Sequence, residues 1–273
     1  MPAFGAALTA DDINKVVDHL RAFCADRDDW PVGDLNFPRA FFTEKAFPEN
    51  ETTWTTALTT HGAQTVASQL VYERRFGARN PLEIILPIDL QQAGRQWVKG
   101  IGDVAFAVRR TFVANAASAT IAAAGVEVVL PTGNADRGLG NGYAIYEPFA
   151  MWGQALPRDS YFQMHGGLEF PSSSETAVKE AFLRTAIGTT FAQDRGFGRA
   201  WSPQVEVLWA RPFGGASEWD VVPQIQVSLS KLQHVLVAGG VRVPMTQRDQ
   251  HHPQVLVYFL WDWFDGGLFS FWK

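Results

Sequence analysis

The chain has 273 residues, with 23 Lys and Arg against 28 Asp and Glu, so its net charge of -5 offers no basic field for a phosphate backbone and excludes nucleic acid as a partner. A single cysteine excludes an internal disulfide or a thiolate metal cluster, and no CxxCH is present for covalent haem attachment. Charged residues are only 19% while aromatics reach 13%, and no apolar run approaches the roughly 18 to 20 residues of a spanning helix. That excludes a helical membrane protein but not a transmembrane β-barrel, whose strands alternate in polarity over about 10 residues and carry aromatics near their ends.

At the start, Thr9 and Asp12 form a T-x-x-D capping box, and Ile13, Val16, Val17 and Leu20 follow at i, i+3, i+4, i+7. The spacing predicts an amphipathic helix from Ala10 to Cys24. DDWPVGDLNFPRAFFTEKAFPENE then carries Pro31, Pro38 and Pro48, which forbid a long helix and favour an extended linker, or a strap entering the barrel. No positively charged, apolar signal sequence precedes the helix, which for an exported barrel predicts that the chain is the tail of a longer protein.

From about Thr52 a period of two takes over. In VVPQIQVSLS, Val221, Ile225, Val227 and Leu229 share one face, opposite Val222, Gln224, Gln226, Ser228 and Ser230. In DVAFAVRRTFV, Val104, Phe106, Val108 and Phe112 oppose Ala105, Ala107, Arg109 and Thr111, and in PQVEVLWA, Val205, Val207 and Trp209 oppose Gln204, Glu206 and Leu208. Strands are predicted at 52-60, 65-76, 80-90, 102-114, 119-130, 143-156, 160-170, 179-191, 200-212, 218-230, 233-244 and 254-264. The composition of 119-130 is equally that of a helix, and Glu147 interrupts an apolar face in 143-156.

The connections alternate. HGAQ, QQAGRQWVKGI, PTGNADRGLGNG, PSSSETAVK, FGGASE and MTQRDQHHP are mostly long and polar, whereas GARN, ANAAS, PRDS, AQDRGFGR and SKLQ are mostly short. Outer-membrane barrels have long external loops and short periplasmic turns, so both termini are expected in the periplasm. The fold class expected is all-β: an antiparallel transmembrane β-barrel of about 12 strands with a short N-terminal α-helix.

A charge on the lipid face costs about 2 to 4 kcal/mol for Arg or Lys at mid-bilayer, so the charged face must point inward. The lumen-lining candidates are then Glu73, Arg75, Glu83, Arg109, Glu127, Glu147, His165, Glu169, Arg184, Gln204, Glu206, Gln224, Gln226, His234 and Arg242. They either pass or bind a small solute, or pair with one another and fill the barrel. Arg110, on the outer face of its strand, is expected near an interface. Trp201, Trp209, Trp219, Trp261 and Trp263 fall at strand ends, as interfacial anchors do.

Other chemistry is weakly supported. His165 and His234 are isolated and read as polar lining, and His251-His252 as solvated loop. PTGNADRGLGNG lacks a following GK[ST] and joins two strands, so it reads as a flexible external loop rather than a nucleotide cradle. Asp159, Ser160 and His165 lie close in sequence but no GxSxG elbow accompanies them; no catalytic residue is expected.

MPAFGAALTADDINKVVDHLRAF resembles the end of a class I cytochrome c domain, with its axial methionine, Pro-containing loop and C-terminal helix. The resemblance implies a domain remnant at 1-26, a Pro-rich linker at 27-51 and a barrel at 52-273. It also implies Met1 as an axial haem ligand if a longer form supplies the haem c that this chain cannot hold alone.

The barrel resembles the outer-membrane proteins grouped as phenol-degradation MetA-pathway or transporter-like barrels, through Glu147 to Phe149 (EPF), Leu130 to Gly133 (LPTG) with DRGLGNG behind it, and the terminal WDWFDGGLF. That family commonly has Asp after PTG, where Asn134 stands here. In layout the chain is similar to outer-membrane cytochrome-porin fusions, which are proposed to move electrons.

The resemblances imply a bacterial outer-membrane channel for small molecules, or the membrane sleeve of an electron-transfer protein. The partners implied are outer-membrane lipid, the barrel-assembly machinery, a small solute and a periplasmic redox partner. The rival reading is a soluble or purely structural β protein.

Overall fold

The computed structural model describes residues 8–21, 31, 33–59, 64–93, 96–173, 177–191, 200–230, 233–248 and 252–263. Helix α1 runs Ala10–Arg21 and a single 3-10 turn Gly33–Leu35. The strands are β1 Glu51–Thr59, β2 Thr65–Phe76, β3 Asn80–Ala93, β4 Gln96–Ile101, β5 Ala105–Asn115, β6 Thr120–Val129 and β7 Ile145–Leu156. After them come β8 Ser160–Pro171, β9 Glu180–Thr189, β10 Trp201–Pro212, β11 Glu218–Ser228, β12 Val235–Pro244 and β13 Gln254–Asp262.

Each strand pairs antiparallel with its neighbours in the chain, and β1 closes on β13 from Glu51↔Asp262 to Thr59↔Gln254. β4 and β5 occupy one position. β4 pairs with the far end of β3 (Ile88↔Ile101) and β5 with its near part (Ile85↔Ala105), so the closed ring has 12 strands. This closes the wall of the ring, while β4, beyond it, is paired on one side only, with β3.

The break between β4 and β5 is fastened by the LPTG segment. The Thr132 hydroxyl accepts from Val104 N–H at 2.8 Å and donates to the Gly102 carbonyl at 3.1 Å, while Leu130 N–H reaches the Val104 carbonyl at 2.8 Å. The loop behind it is organised rather than flexible, which corrects the expectation. The Asp103 carboxylate accepts from the N–H groups of Gly133 (2.8 Å) and Asn141 (2.6 Å), and Leu139 is buried. Gly133 is required here because a Cβ would lie 2.0 Å from the Leu139 carbonyl oxygen.

A second correction concerns QQAGRQWVKGI, expected as a loop but holding the end of β3 and all of β4. Its residues are polar because this hairpin is mostly exposed on both faces, so polarity there marks solvent rather than irregular backbone. The doubtful strands at 119-130 and 143-156 both form. Glu147 shares the inner face with Phe149 and Met151, which pack into the core inside the barrel.

Outside, the barrel is apolar. On β5 Phe106, Val108 and Phe112 are 40%, 50% and 60% exposed, while Ala105, Ala107, Arg109 and Thr111 are buried within. Arg110 faces outward near the short-turn end, where its guanidinium donates to Asn80 Oδ1 at 2.8 Å. Among the tryptophans, Trp219 is exposed beside Trp209, but Trp263 is buried against the Tyr72 ring and cannot be an interfacial anchor.

Helix α1 has its expected cap: Asp12 N–H donates to Thr9 Oγ1 at 3.2 Å, and Thr9 N–H to the Asp12 carboxylate at 3.1 Å. The Thr9 hydroxyl, donating to the Asp12 carboxylate at 2.6 Å, and then the Thr9 N–H hold that carboxyl below its ordinary range. The described span of α1 ends at Arg21; the expected end at Cys24 lies outside the described residues together with Met1, His251 and the terminal WDWFDGGLF from Phe264 onward. Among the described residues no helix is long and apolar enough to cross a membrane.

Candidate functional site: a lumen occupied by its own strap

The segment 33–50 does not skirt the barrel. It enters at the short-turn end, rises inside the lumen to a tip at Phe41–Glu44, and descends to Glu51, the first residue of β1. Nearly every residue of its second half is buried.

The tip is held by one carboxylate. Glu206 of β10, fully buried, accepts from the N–H groups of Phe41 (2.9 Å), Phe42 (3.0 Å) and Thr43 (2.6 Å) and from the Thr43 hydroxyl (2.8 Å). Successive N–H groups turned to one side make an anion-binding nest, and a buried acceptor for them is a charge-assisted interaction. Gln224 Nε2 donates to the same carboxylate.

The wall grips the rest of the strap on several sides. Gln163 Nε2 donates to the Pro38 carbonyl (2.9 Å), Gln204 Nε2 and the Tyr258 hydroxyl to the Arg39 carbonyl (2.9 and 2.8 Å), and Thr111 to the Ala46 carbonyl (2.8 Å). Phe37 stacks on Tyr161 and Phe41 lies edge-on to Tyr258. Glycines give these rings room: a Cβ on Gly153 would lie 2.8 Å from Phe37, and one on Gly240 2.9 Å from Phe41.

Ion pairs fill the short-turn half. Arg109 bridges Glu73 (2.6 Å) and Glu83, all buried. Lys45 of the strap pairs with Glu49 (2.9 Å) and Glu51 (3.3 Å), and Arg39 with Glu51 (2.7 Å). Below the strap a cavity of about 750 Å³ opens to the short-turn end, lined by Asn36, Arg39, Lys45, Glu51 and Ser160 among others.

The lumen candidates therefore separate into groups. Glu73, Glu83 and Arg109 form one network, and Arg75 reaches the Asn50 side chain and Pro48 carbonyl. Gln204, Glu206, Gln224 and Gln226 form another with Tyr161 and Tyr258. Arg242 pairs with Asp220 (2.8 Å), and Arg184 donates to the Phe42 carbonyl (3.4 Å) while lying over the Phe182 ring.

Two histidines differ from expectation. His165 is wedged edge-on between the Phe149 and Phe182 rings instead of lining open polar space. His234 sits in the β11–β12 turn, where its N–H donates to Ser230 Oγ, and burial lowers its pKa. Among the described residues no set of three or more His, Cys, Asp or Glu is arranged to hold a metal. Asp159 and Ser160 occupy the β7–β8 turn region, apart from His165, so no triad forms.

Sequence reading missed Arg39, Lys45, Glu49, Glu51, Glu180, Asp220 and Asp262. The first four belong to the strap or its junction, whose position inside the barrel has no periodic signature. Glu180 and Asp262 are strand-end residues.

The fold and its interior together define a closed polar-lumen barrel with an apolar exterior. No protein-family model matches the chain, and no curated protein matches it in sequence. Among solved structures the barrel is similar to an outer-membrane channel from Pseudomonas putida F1, with TM-score 0.54 and 12% identity over 83% of this chain and 99% of that one. It is also similar to the KdgM porin in complex with disordered oligogalacturonate (TM-score 0.52, 9% identity, 78% of this chain and 98% of that one). The NanC porin compares similarly, with TM-score 0.50 and 8% identity over the same shares. At such identities the likeness is one of fold.

Proposed function

We propose that this chain is a bacterial outer-membrane channel for small polar solutes, with both termini in the periplasm and the strap 33–50 as an internal constriction. The observation that carries this reading is the strap itself. A segment that seats four phenylalanines and several charged side chains inside a closed lumen narrows the passage, and the apolar exterior supports lipid as the surrounding medium. The porin-like neighbours support the same reading, as does the alternation of short turns and long loops. In this setting the barrel's partners are outer-membrane lipid and the machinery that inserts barrels.

The test is conductance in planar bilayers with the full chain, folding being checked by a heat-dependent shift in gel mobility. Discrete conductance steps are expected. Silent bilayers from correctly folded protein would contradict the channel.

A second reading, an electron-transfer protein with this barrel as its membrane sleeve, draws support from α1. Its capping box is formed, yet Ile13 and Val16 are 41% and 51% exposed, an apolar face suited to packing against an adjoining domain such as a haem-bearing one. A haem-stained gel of the host's outer-membrane fraction tests it: a haem-positive product larger than 30.2 kDa is expected, and a haem-negative one would remove it.

A further inference from the structure

Residues directly opposite on neighbouring strands point to the same side of a sheet, so a row read across the registers is a row of side chains on one surface. Starting at the short-turn end, Asp262 of β13 faces Glu51 of β1, Glu51 faces Glu73 of β2, and Glu73 faces Glu83 of β3. Glu83 faces Ala107 of β5, which faces Glu127 of β6, and Glu127 faces Glu147 of β7. Glu147 stands opposite Glu169 of β8, between the Tyr146↔Phe170 and Phe149↔Gly167 pairs, and Glu169 faces Glu180 of β9.

One row thus carries eight carboxylates, broken only at Ala107. Because strands tilt in a closed barrel, the row climbs. It begins at the end of β13 and the first residue of β1, at the short-turn end, and finishes at the first residue of β9, at the long-loop end.

The two halves are treated differently. In the lower half Glu73 and Glu83 are bridged by Arg109, and Glu51 by Arg39 and Lys45. In the upper half no basic group lies within ion-pair distance of Glu127, Glu147, Glu169 or Glu180 among the described residues. Arg184, which donates to the Phe42 carbonyl and lies over the Phe182 ring, acts on all four only at longer range, while Glu44 of the strap tip adds a fifth carboxylate acting on Glu127 and Glu147; Lys179 lies over Phe170. Glu147 is only 9% exposed, yet it has neither a hydrogen bond nor an ion pair among the described residues.

Like charges directly opposite are destabilising, and the upper row sets four acids side by side with no cation in ion-pair contact among the described residues. The lower half shows how this fold resolves the same problem, with a cation between the carboxylates. We infer that the upper row, Glu127, Glu147, Glu169 and Glu180, is a binding track for an extended organic cation, one carrying several ammonium groups along a chain. This rests on the channel reading and names its solute class.

An extended polyvalent cation fits better than a metal ion. Four acids on four successive strands, about 4.8 Å apart, spread over a length no single ion spans. No metal-holding cluster is found among the described residues. The lysine and arginine of the strap show the matching chemistry one half-row below.

The experiment is equilibrium dialysis of the detergent-folded full chain against radiolabelled spermidine at low ionic strength. Wild type is compared with Glu147→Gln, Glu127→Gln/Glu147→Gln and Glu169→Gln/Glu180→Gln. Saturable binding by wild type is expected, weakened about tenfold or more in each double variant and less in the single one. Excess magnesium should compete only weakly.

Glutamine preserves volume while removing charge, so the variants should fold, as the gel-mobility shift verifies; the single variant serves if a double variant does not. Binding unchanged in the variants, no binding by folded wild type, or magnesium binding more tightly than spermidine would each overturn the inference. Bilayer recordings separate the two failures: silent bilayers with intact spermidine binding would remove the channel and leave the track, whereas conductance without binding would remove the track alone.

Discussion

The lower and upper halves of the carboxylate row share one register and one surface, and differ in what faces them. The lower acids are closed into ion pairs by Arg109 and by the cations of the strap. The upper acids face one another and share Arg184 only at longer range. The same residue type at the same repeat is thus structural in one place and open to ligand in the other, and the counter-charge decides which.

Breaking the lower half should have the largest effect. Arg109→Met leaves Glu73 and Glu83 buried, like-charged and uncompensated, and is expected to cost about 3 to 5 kcal/mol in a urea titration of the detergent-folded barrel. Gly153→Val drives a side chain into Phe37 and should cost about 1 to 3 kcal/mol. It should also make the strap accessible to protease while the barrel stays resistant.

The upper half should respond with the opposite sign: Glu147→Gln relieves repulsion from Glu127 and Glu169, and a gain of roughly 0.2 to 1 kcal/mol is expected by the same titration. An unchanged or lowered stability would mean that the attraction of Arg184 outweighs that repulsion.

The smallest effect concerns pH. His234 is held neutral by burial, so its folded pKa lies below its unfolded value. The unfolded chain then binds the extra proton first, and its contribution to stability is complete above about pH 6.5 and lost as pH falls below it. Wild type should lose more stability than His234→Gln between neutral and mildly acidic pH, compared in parallel titrations.

The barrel was legible because alternation survives wherever one face meets an apolar medium and the other a polar one. It held even in the Ala-rich stretch that became β6. β4 was not legible, since a hairpin exposed on both faces loses that contrast and reads as loop. Luminal residues such as Glu147 and Glu206 followed from parity along a strand.

Their partners did not follow, for two physical reasons. Cross-strand register is set by turn and bulge geometry, including the clamp of Thr132 on Gly102 and Val104, and none of that is periodic in the sequence. Strap contacts join residues about 160 positions apart, as between Thr43 and Glu206, where only the closed fold reveals the pair. The charged face was therefore readable as a set, while its division into paired and open halves was not.

In the proposed channel the strap constricts the lumen and Glu206 holds it there. The most direct test is single-channel recording of wild type and Glu206→Leu in identical bilayers, both verified as folded barrels. Losing the buried acceptor leaves the N–H groups of Phe41, Phe42 and Thr43 without it, a penalty of about 1 to 3 kcal/mol for each group. Larger or more frequent conductance steps are expected in Glu206→Leu than in wild type. Identical conductance in the two proteins, with the strap shown by protease to be released, would contradict it.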